Sequence, residues 1–281
     1  MFITRPRIFG VALALVTPPA VAGSGSGWVL ETVPTSEVLN GVSAPSLDYA
    51  MAVGNNGTIV LFENGDTGTL MVSGTSKDLL DVYASSPNLA VAAGIDTVLL
   101  WDGMSWDEIR NTTDGTLFTG TWISPEEDVV LYGILGASFD FVCPYFPAMP
   151  DPPPFCRTFG RALLAACGHS DDIKVITEDG DVYRVDNFLG DIDATNPIHE
   201  EPGLLGLTAV YAPQLSCLSG AVPPRSMFAI RQSGEIWHFD GDNWTDMNVP
   251  IPASQTLTAI SGTGPGLVVA SGFEPKPRWW E

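Results

Sequence analysis

The groups able to do chemistry in this chain are mostly carboxylates. Among 281 residues, 33 Asp and Glu stand against 12 Lys and Arg, with three histidines and four cysteines. Two carboxylates at a set separation suffice to hydrolyse a glycosidic bond. A chain this acidic supplies such pairs by chance, and no pair is singled out by its spacing. Asp191-Ile192-Asp193-Ala194-Thr195 opens like a calcium loop but lacks the glycine and the closing glutamate that such a loop needs. There is no C-x-x-C pair, and His169, His199 and His238 are scattered, so no metal site is expected. A G-x-S-x-G elbow, a phosphate-binding P-loop and an H-E-x-x-H helix are also missing. The residues therefore assign no catalytic group and call for no cofactor.

The cysteines point to disulfides. Residues 1 to 22 read as a secretory leader: Arg5 and Arg7 are the basic start, Ile8 to Val16 the apolar core, and Ala20-Val21-Ala22 the small-residue cleavage site. Nine apolar residues are too few to cross about 30 Å of hydrocarbon, and Pro18-Pro19 ends the run, so no membrane span is expected in the mature form. Four cysteines in a secreted or periplasmic chain should pair, and four allow three connectivities. Cys143 and Cys156 bracket a proline-dense segment, CPYFPAMPDPPPFC, which a local bridge would clamp. Cys167 and Cys217 each come just after a presumed first strand, where a bridge would staple neighbouring repeats.

The charge balance narrows the partners. A formal charge of −21 opposes phosphate backbones and anionic membrane surfaces, which argues against nucleic acid and lipid headgroups. A protein or a surface glycan fits better. Oligomeric state is not legible.

The elements that must position these groups are set by a repeat. From Leu79 to Ile109 the chain holds four short apolar runs, LLDVYAS, LAVAAG, TVLLWDG and SWDEI, punctuated by Pro87-Asn88, Gly94 and Asp102-Gly103. That is the pattern of a four-stranded antiparallel meander. Forty residues earlier Val42 and Gly54 match Val82 and Gly94; forty residues later Trp122 takes the place of Val82, and Gly133 falls one short. Phe239-Asp240-Gly241-Asp242-Asn243-Trp244 repeats the pattern of Trp101 to Trp106. A period near 40 with four strands per unit predicts an all-β fold, a β-propeller. Residues 23–281 form one domain of six blades on this reading, with five or seven as the neighbouring counts. Trp28 to Val33 resembles Trp244 to Val249 and is expected to join the C-terminal blade and close the ring.

The residues that carry the repeat are Leu39, Val42, Ser43, Ala52, Val53, Gly54, Gly57, Thr58 and Ile59 in one copy, and Leu79, Val82, Ser85, Gly94, Asp102, Gly103 and Trp106 in the next. In this the chain resembles secreted bacterial propellers with neuraminidase-like repeats, or repeats like those of the photosystem II assembly factor. The resemblance implies a propeller. Its sialidase members imply an arginine cluster for the substrate carboxylate, a tyrosine nucleophile and acidic partners. Here Arg110, Arg157, Arg161, Arg184, Arg225, Arg231 and Arg278 recur at no fixed blade position. The box S-x-D-x-G-x-T-W is absent in that order, since FDGDNWTD and WDGMSWDE reverse its aspartate and glycine. No catalytic residue is carried over.

Architecture then says where a site would sit. Turns between second and third strands lie on the face that carries the links between blades, which places Asp96, Glu178, Asp179 and Arg231 on its rim. On the opposite face Tyr145, Phe146, Met149 and Phe155 of the proline-dense segment, about residues 143–156, would form an apolar patch. The expected function is a non-enzymatic binding or assembly module for a protein or surface-glycan partner. The alternative is a carbohydrate-active enzyme with an acidic central funnel.

Overall fold

A computed structural model describes residues 14–15, 33–46, 48–63, 68–123, 129–135, 139–145, 157–159, 162–169, 172–178, 181–185, 207–211, 226–231, 233–240, 243–249, 256–264 and 267–273. In chain order β1 is Ala14–Leu15. Strands β2 (Leu39–Ser46), β3 (Tyr49–Gly54), β4 (Ile59–Glu63) and β5 (Thr69–Met71) form the first four-stranded sheet. Strands β6 (Leu79–Ser86), β7 (Leu89–Gly94), β8 (Thr97–Trp101) and β9 (Trp106–Asn111) form the second. The third holds β10 (Leu117–Ile123), β11 (Val129–Leu135), β12 (Phe139–Tyr145) and β13 (Arg157–Phe159). Three described strands come next, β14 (Leu163–His169), β15 (Asp172–Thr177) and β16 (Val182–Val185). Strands β17 (Leu207–Tyr211), β18 (Met227–Arg231), β19 (Ile236–Phe239) and β20 (Trp244–Asp246) make another four-stranded sheet. The last sheet pairs β21 (Thr256–Gly264), β22 (Leu267–Phe273) and β1.

All described pairs are antiparallel neighbours in sequence except β1, which lies on β22 with Ala14 opposite Ala270 and Leu15 opposite Val269. Residues 28–32, expected on this sheet, lie outside the described residues. Val33 is described, and it is buried among Leu39, Val42, Ala259 and Val269.

The second strands explain the composition of the repeat. YAMAVG in β3 is buried at every residue, and LAVAAG in β7 at all but its first, because each is covered on both faces by neighbouring sheets. Their terminal glycines are sterically required. A Cβ on Gly54, Gly94 or Gly133 would stand 2.0, 2.1 or 1.9 Å from the carbonyl oxygen of Val38, Asp78 or Leu117. The chain entering each sheet crosses over that glycine, and the crossing is fixed by Asn55 N–H to Val38 and by Ile95 N–H to Asp78. Six apolar clusters fill the spaces between successive sheets, and one of them joins the last sheet to the first.

One feature of the inner strands is absent from the sequence expectation. Each first strand carries a bulge after its opening residue, at Leu39/Gly41, Leu79/Asp81, Phe118/Gly120, Leu163/Ala165, Leu207/Ala209 and Leu257/Ala259. The bulge re-aims the side chains beyond it, and the pairing of the strands corrects the register expected between the second and third sheets. Leu79 pairs with Gly94 and Phe118 with Gly133, so Trp122 is the counterpart of Tyr83, and Thr121 that of Val82. The spacing at this step is 39, not 40.

Candidate functional site

The rim turns are held by their own neighbours. Asp96 adopts a left-handed conformation (φ 55°), and its Oδ1 accepts the Thr112 hydroxyl at 2.8 Å and the Gly115 and Thr116 N–H groups at 2.9 Å each. Its carbonyl takes the Lys77 ammonium at 2.7 Å. The carboxylate thus ties the turn of the second sheet to the link that enters the third. Asn56, in the matching turn at φ 56°, does similar work: its N–H goes to Asp78 at 2.8 Å and its amide to Glu37 at 3.0 Å. Glu178 is exposed, and its backbone bridges two sheets, N–H to Ala162 and carbonyl from Leu207 N–H. The Arg231 guanidinium lies over the Trp237 ring, 5.4 Å from its centroid. Asp179 lies outside the described residues.

The proline-dense segment begins on a strand. Cys143 and Tyr145 belong to β12, opposite Leu131 and Val129. Phe146 and Cys156 lie outside the described residues. Cys167 on β14 is buried and disulfide-bonded; its expected partner Cys217 lies outside the described residues. The reversed Asp-Gly turns have a structural use. Asp102 Oδ1 accepts the Met104 and Ser105 N–H groups at 2.8 Å, which holds its pKa below the usual carboxylate value, and Gly103 supplies φ 93°. Asp240 accepts Asn243 N–H at 2.8 Å in the equivalent turn. The flanking rings pack in both copies, Trp101 on Trp106 at 5.5 Å and Phe239 on Trp244 at 5.2 Å.

The sequence reading expected a central funnel only in its enzymatic alternative and assigned no residue to its lining. The inner strands enclose a cavity of about 510 Å³ that runs from Asn40 and Thr258 at one end to Pro45 and Ser85 at the other. The bulge sets its wall. At the residue after the bulge the six strands carry Gly41, Asp81, Gly120, Ala165, Ala209 and Ala259. Five are Gly or Ala; a Cβ on Gly41 would come within 2.6 Å of Asp81 Cα, and one on Gly120 within 2.0 Å of the Tyr132 ring. The sixth is Asp81, the only charged residue among those described in the channel lining.

Asp81 reaches the next sheet. Its Oδ2 accepts the Thr121 N–H at 2.9 Å, and Val82 N–H also supports the carboxylate. Its remaining exposure is to the bore, deep in the molecule. Desolvation therefore dominates and pushes its pKa up to about 7, against the lowering effect of those two N–H groups. Tyr132 fills the space above Gly120 and donates toward the Leu164 carbonyl at 3.4 Å; burial, then the negative charge of Asp81, holds its pKa well above the usual value.

Other inner-strand residues also stitch sheet to sheet. Asn40 donates to Leu79 O at 2.8 Å, Ser43 accepts Ala84 N–H at 2.9 Å, and Thr258 donates to Leu39 O at 2.9 Å. Two residues beyond the small ring stand Tyr83, Trp122 and Tyr211. Burial raises both tyrosine pKa values; the Trp122 N–H partly offsets this at Tyr83, and Tyr83 adds to it at Tyr211. His238 stacks on Phe228 at 4.5 Å with Ser226 Oγ 3.0 Å from Nε2; burial lowers its pKa, with Asp240 opposing. A signal for Asp81 is present in the sequence. It is the one acid inside an apolar first strand, LLDVYAS, but the bulge that aims it into the bore leaves no mark in the repeat.

Among the described residues no three His, Cys, Asp or Glu side chains gather as a metal site, and no helix is long and apolar enough to cross a membrane.

No family model matches the chain, and no curated protein does. Solved structures do. The WD40 β-propeller domain of Doa1 is similar at TM-score 0.50 and 13% identity, over 97% of this chain and 100% of that one. YCF48 from Cyanidioschyzon merolae matches at TM-score 0.47 and 12% identity over 94% and 100%, and YCF48 bound to D1 peptide at 0.49 and 12% over 86% and 95%. The likeness to the Doa1 domain shows the fold, an all-β propeller of antiparallel sheets, four of them complete with four strands among the described residues.

Proposed function

We propose that the chain is an exported, non-enzymatic binding or assembly module: a closed six-bladed propeller that holds a protein or surface-glycan partner once residues 1–22, and with them the pairing of β1 on β22, are removed. The observation that carries this reading is how the carboxylates are used. At the two places where a propeller pocket forms, Asp96 on the rim and Asp81 in the channel accept backbone N–H groups of the following sheet or its link. These groups hold blades together. The alternative, a carbohydrate-active enzyme with an acidic funnel, needs a pair of carboxylates, and the described lining of the channel supplies Asp81 alone. Six blades and closure are supported by the six inter-sheet clusters and by the Thr258 to Leu39 bond, which joins residues 219 apart.

The test is crosslinked capture by the purified protein beside a form lacking Phe146 to Phe155, which keeps β12 whole. The expected result is a defined protein or glycan partner, lost on deletion while the melting temperature is unchanged. Release of sugar from a glycan panel, abolished by Asp81→Asn, would replace this reading with the enzymatic one.

A further inference from the structure

The third place in the last sheet is thinly filled. In the other sheets that place holds strands of four to seven residues, β4, β8, β12, β16 and β19. In the last sheet two described residues stand there, Ala14 and Leu15 of β1, opposite Ala270 and Val269. Both lie inside the apolar core of the leader, Ile8 to Val16. Removal of residues 1–22 leaves β22 with β21 alone among the described strands. A bared strand edge is a template for another strand.

The register says which segment fits it. The opening residues of three first strands lie opposite Gly54, Thr177 and Arg231, and in those sheets the third strand begins to pair five residues further on, at Ile59, Val182 and Ile236. In the last sheet the corresponding pair is Leu257 and Gly272. The same spacing puts Pro277 opposite Ser271, Arg278 opposite Ala270, Trp279 opposite Val269 and Trp280 opposite Val268. Arg278 and Trp279 thus fall on the two positions that β1 holds. Residues 277–280 themselves lie outside the described residues.

A proline suits the first of these positions. The turn is closed one residue earlier, by Gly54 N–H to Thr58, Thr177 N–H to Asp181 and Arg231 N–H to Glu235, and Ile236 O accepts Met247 N–H on the far side. The N–H that Pro277 lacks would therefore face the fourth strand and not β22. The two tryptophans fall on opposite faces: Trp279 with Val269, which packs on the first sheet, and Trp280 with Val268, which packs on the sheet before.

We propose that residues 277–280 are the third strand of the last sheet in the processed chain, and that the leader holds their place until it is removed. This exchange rests on the removal of residues 1–22 read above. Both forms compared below are produced directly, so a leader that stayed uncleaved in the cell would not change their outcome.

The readout is hydrogen exchange at Ala270, whose N–H points at the third place as that of its counterpart Ala229 points at Trp237. It is measured in the full chain and in residues 23–281, each with and without residues 277–281. Ala270 should exchange equally slowly in the two intact forms. Deleting residues 277–281 should speed it at least about tenfold in the shorter form and less than about threefold in the full chain, where β1 covers the edge. Trp279→Asp in the shorter form keeps the length and should expose Ala270 likewise, with slow exchange in β7 showing that the other sheets stay folded. Faster exchange in intact 23–281 than in the full chain, or protection there that survives both the deletion and Trp279→Asp, would overturn the assignment of the tail. Protection in the full chain that depends on residues 277–281 would overturn the role of the leader.

Discussion

Tyr132 occupies the place where a side chain on Gly120 would stand: a Cβ there would lie 2.0 Å from the ring Cζ and 2.3 Å from its hydroxyl oxygen. The tyrosine is 5% exposed and packs with Trp122, Val130, Leu163 and Val175, so it has nowhere to swing. Gly120→Ala should destabilise the protein by about 1–3 kcal/mol. Urea unfolding checks this, with Ala165→Gly, at the same ring position one sheet on, as a control. Gly120→Ala behaving no worse than that control would mean that the ring moves freely.

Asp81 makes stability depend on pH in an unusual direction. Its folded pKa of about 7 lies above the unfolded value near 3.8. Between those values the folded state holds the extra proton, so its contribution is full below pH 4 and is lost as pH rises through 7. His238, its pKa lowered by burial, acts oppositely as pH falls below the ordinary imidazole value of 6.5, so the wild-type curve alone does not isolate Asp81. The difference between wild type and Asp81→Asn does. Relative to the variant, the wild type should lose about 2–4 kcal/mol between pH 4 and pH 8. Denaturant titrations at each pH would show it, and parallel curves would place the carboxyl in a wetter setting.

Asp96 should tolerate one substitution and resist another. Asn56 holds the matching turn at nearly the same φ, and an asparagine oxygen can accept the N–H groups that the carboxylate now takes. Asp96→Asn is expected to cost under about 1 kcal/mol. Asp96→Ala loses all three side-chain bonds and forces alanine into the left-handed region, for about 2–4 kcal/mol. Hydrogen exchange at Gly115 and Thr116 locates the effect: faster in the alanine variant, nearly unchanged in the asparagine variant.

How much of the molecule is legible in its sequence depends on the range of the interactions. The strands of the second sheet fall where its apolar runs and turn residues put them, because both signals are local. Gly54, Gly94 and Gly133 mark the repeat for a physical reason that shows only when the crossing carbonyls are in place. The bulge after Leu79 and its counterparts are not legible, since an inserted residue leaves the apolar pattern nearly intact. The bulge hides Asp81, whereas the step at Trp122 comes from a repeat one residue shorter, which Gly133 already shows. Asp96 stands on the expected turn, while its partners, 16 to 20 residues away, cannot be read from it.

The joint between the last and first sheets gives the sharpest test of closure. Thr258 donates to Leu39 O at 2.9 Å, and Asn40 makes the corresponding bond to Leu79 O at 2.8 Å in the next interface. Thr258→Val removes the donor to Leu39 O and Ser271 O, and Asn40→Leu the donor to Leu79 O and Asn55 Oδ1, each at about 1–2 kcal/mol. In a closed ring every interface belongs to one cooperative unit, so both variants should lower the midpoint of a single transition by similar amounts. In an open arc the end sheets would fray first, and Thr258→Val would speed hydrogen exchange in β2 and β21 while leaving the global midpoint in place. Equal shifts with no separate early phase are the expected outcome, because the apolar cluster of Leu39, Val42, Ala259 and Val269 spans that joint as similar clusters span the others.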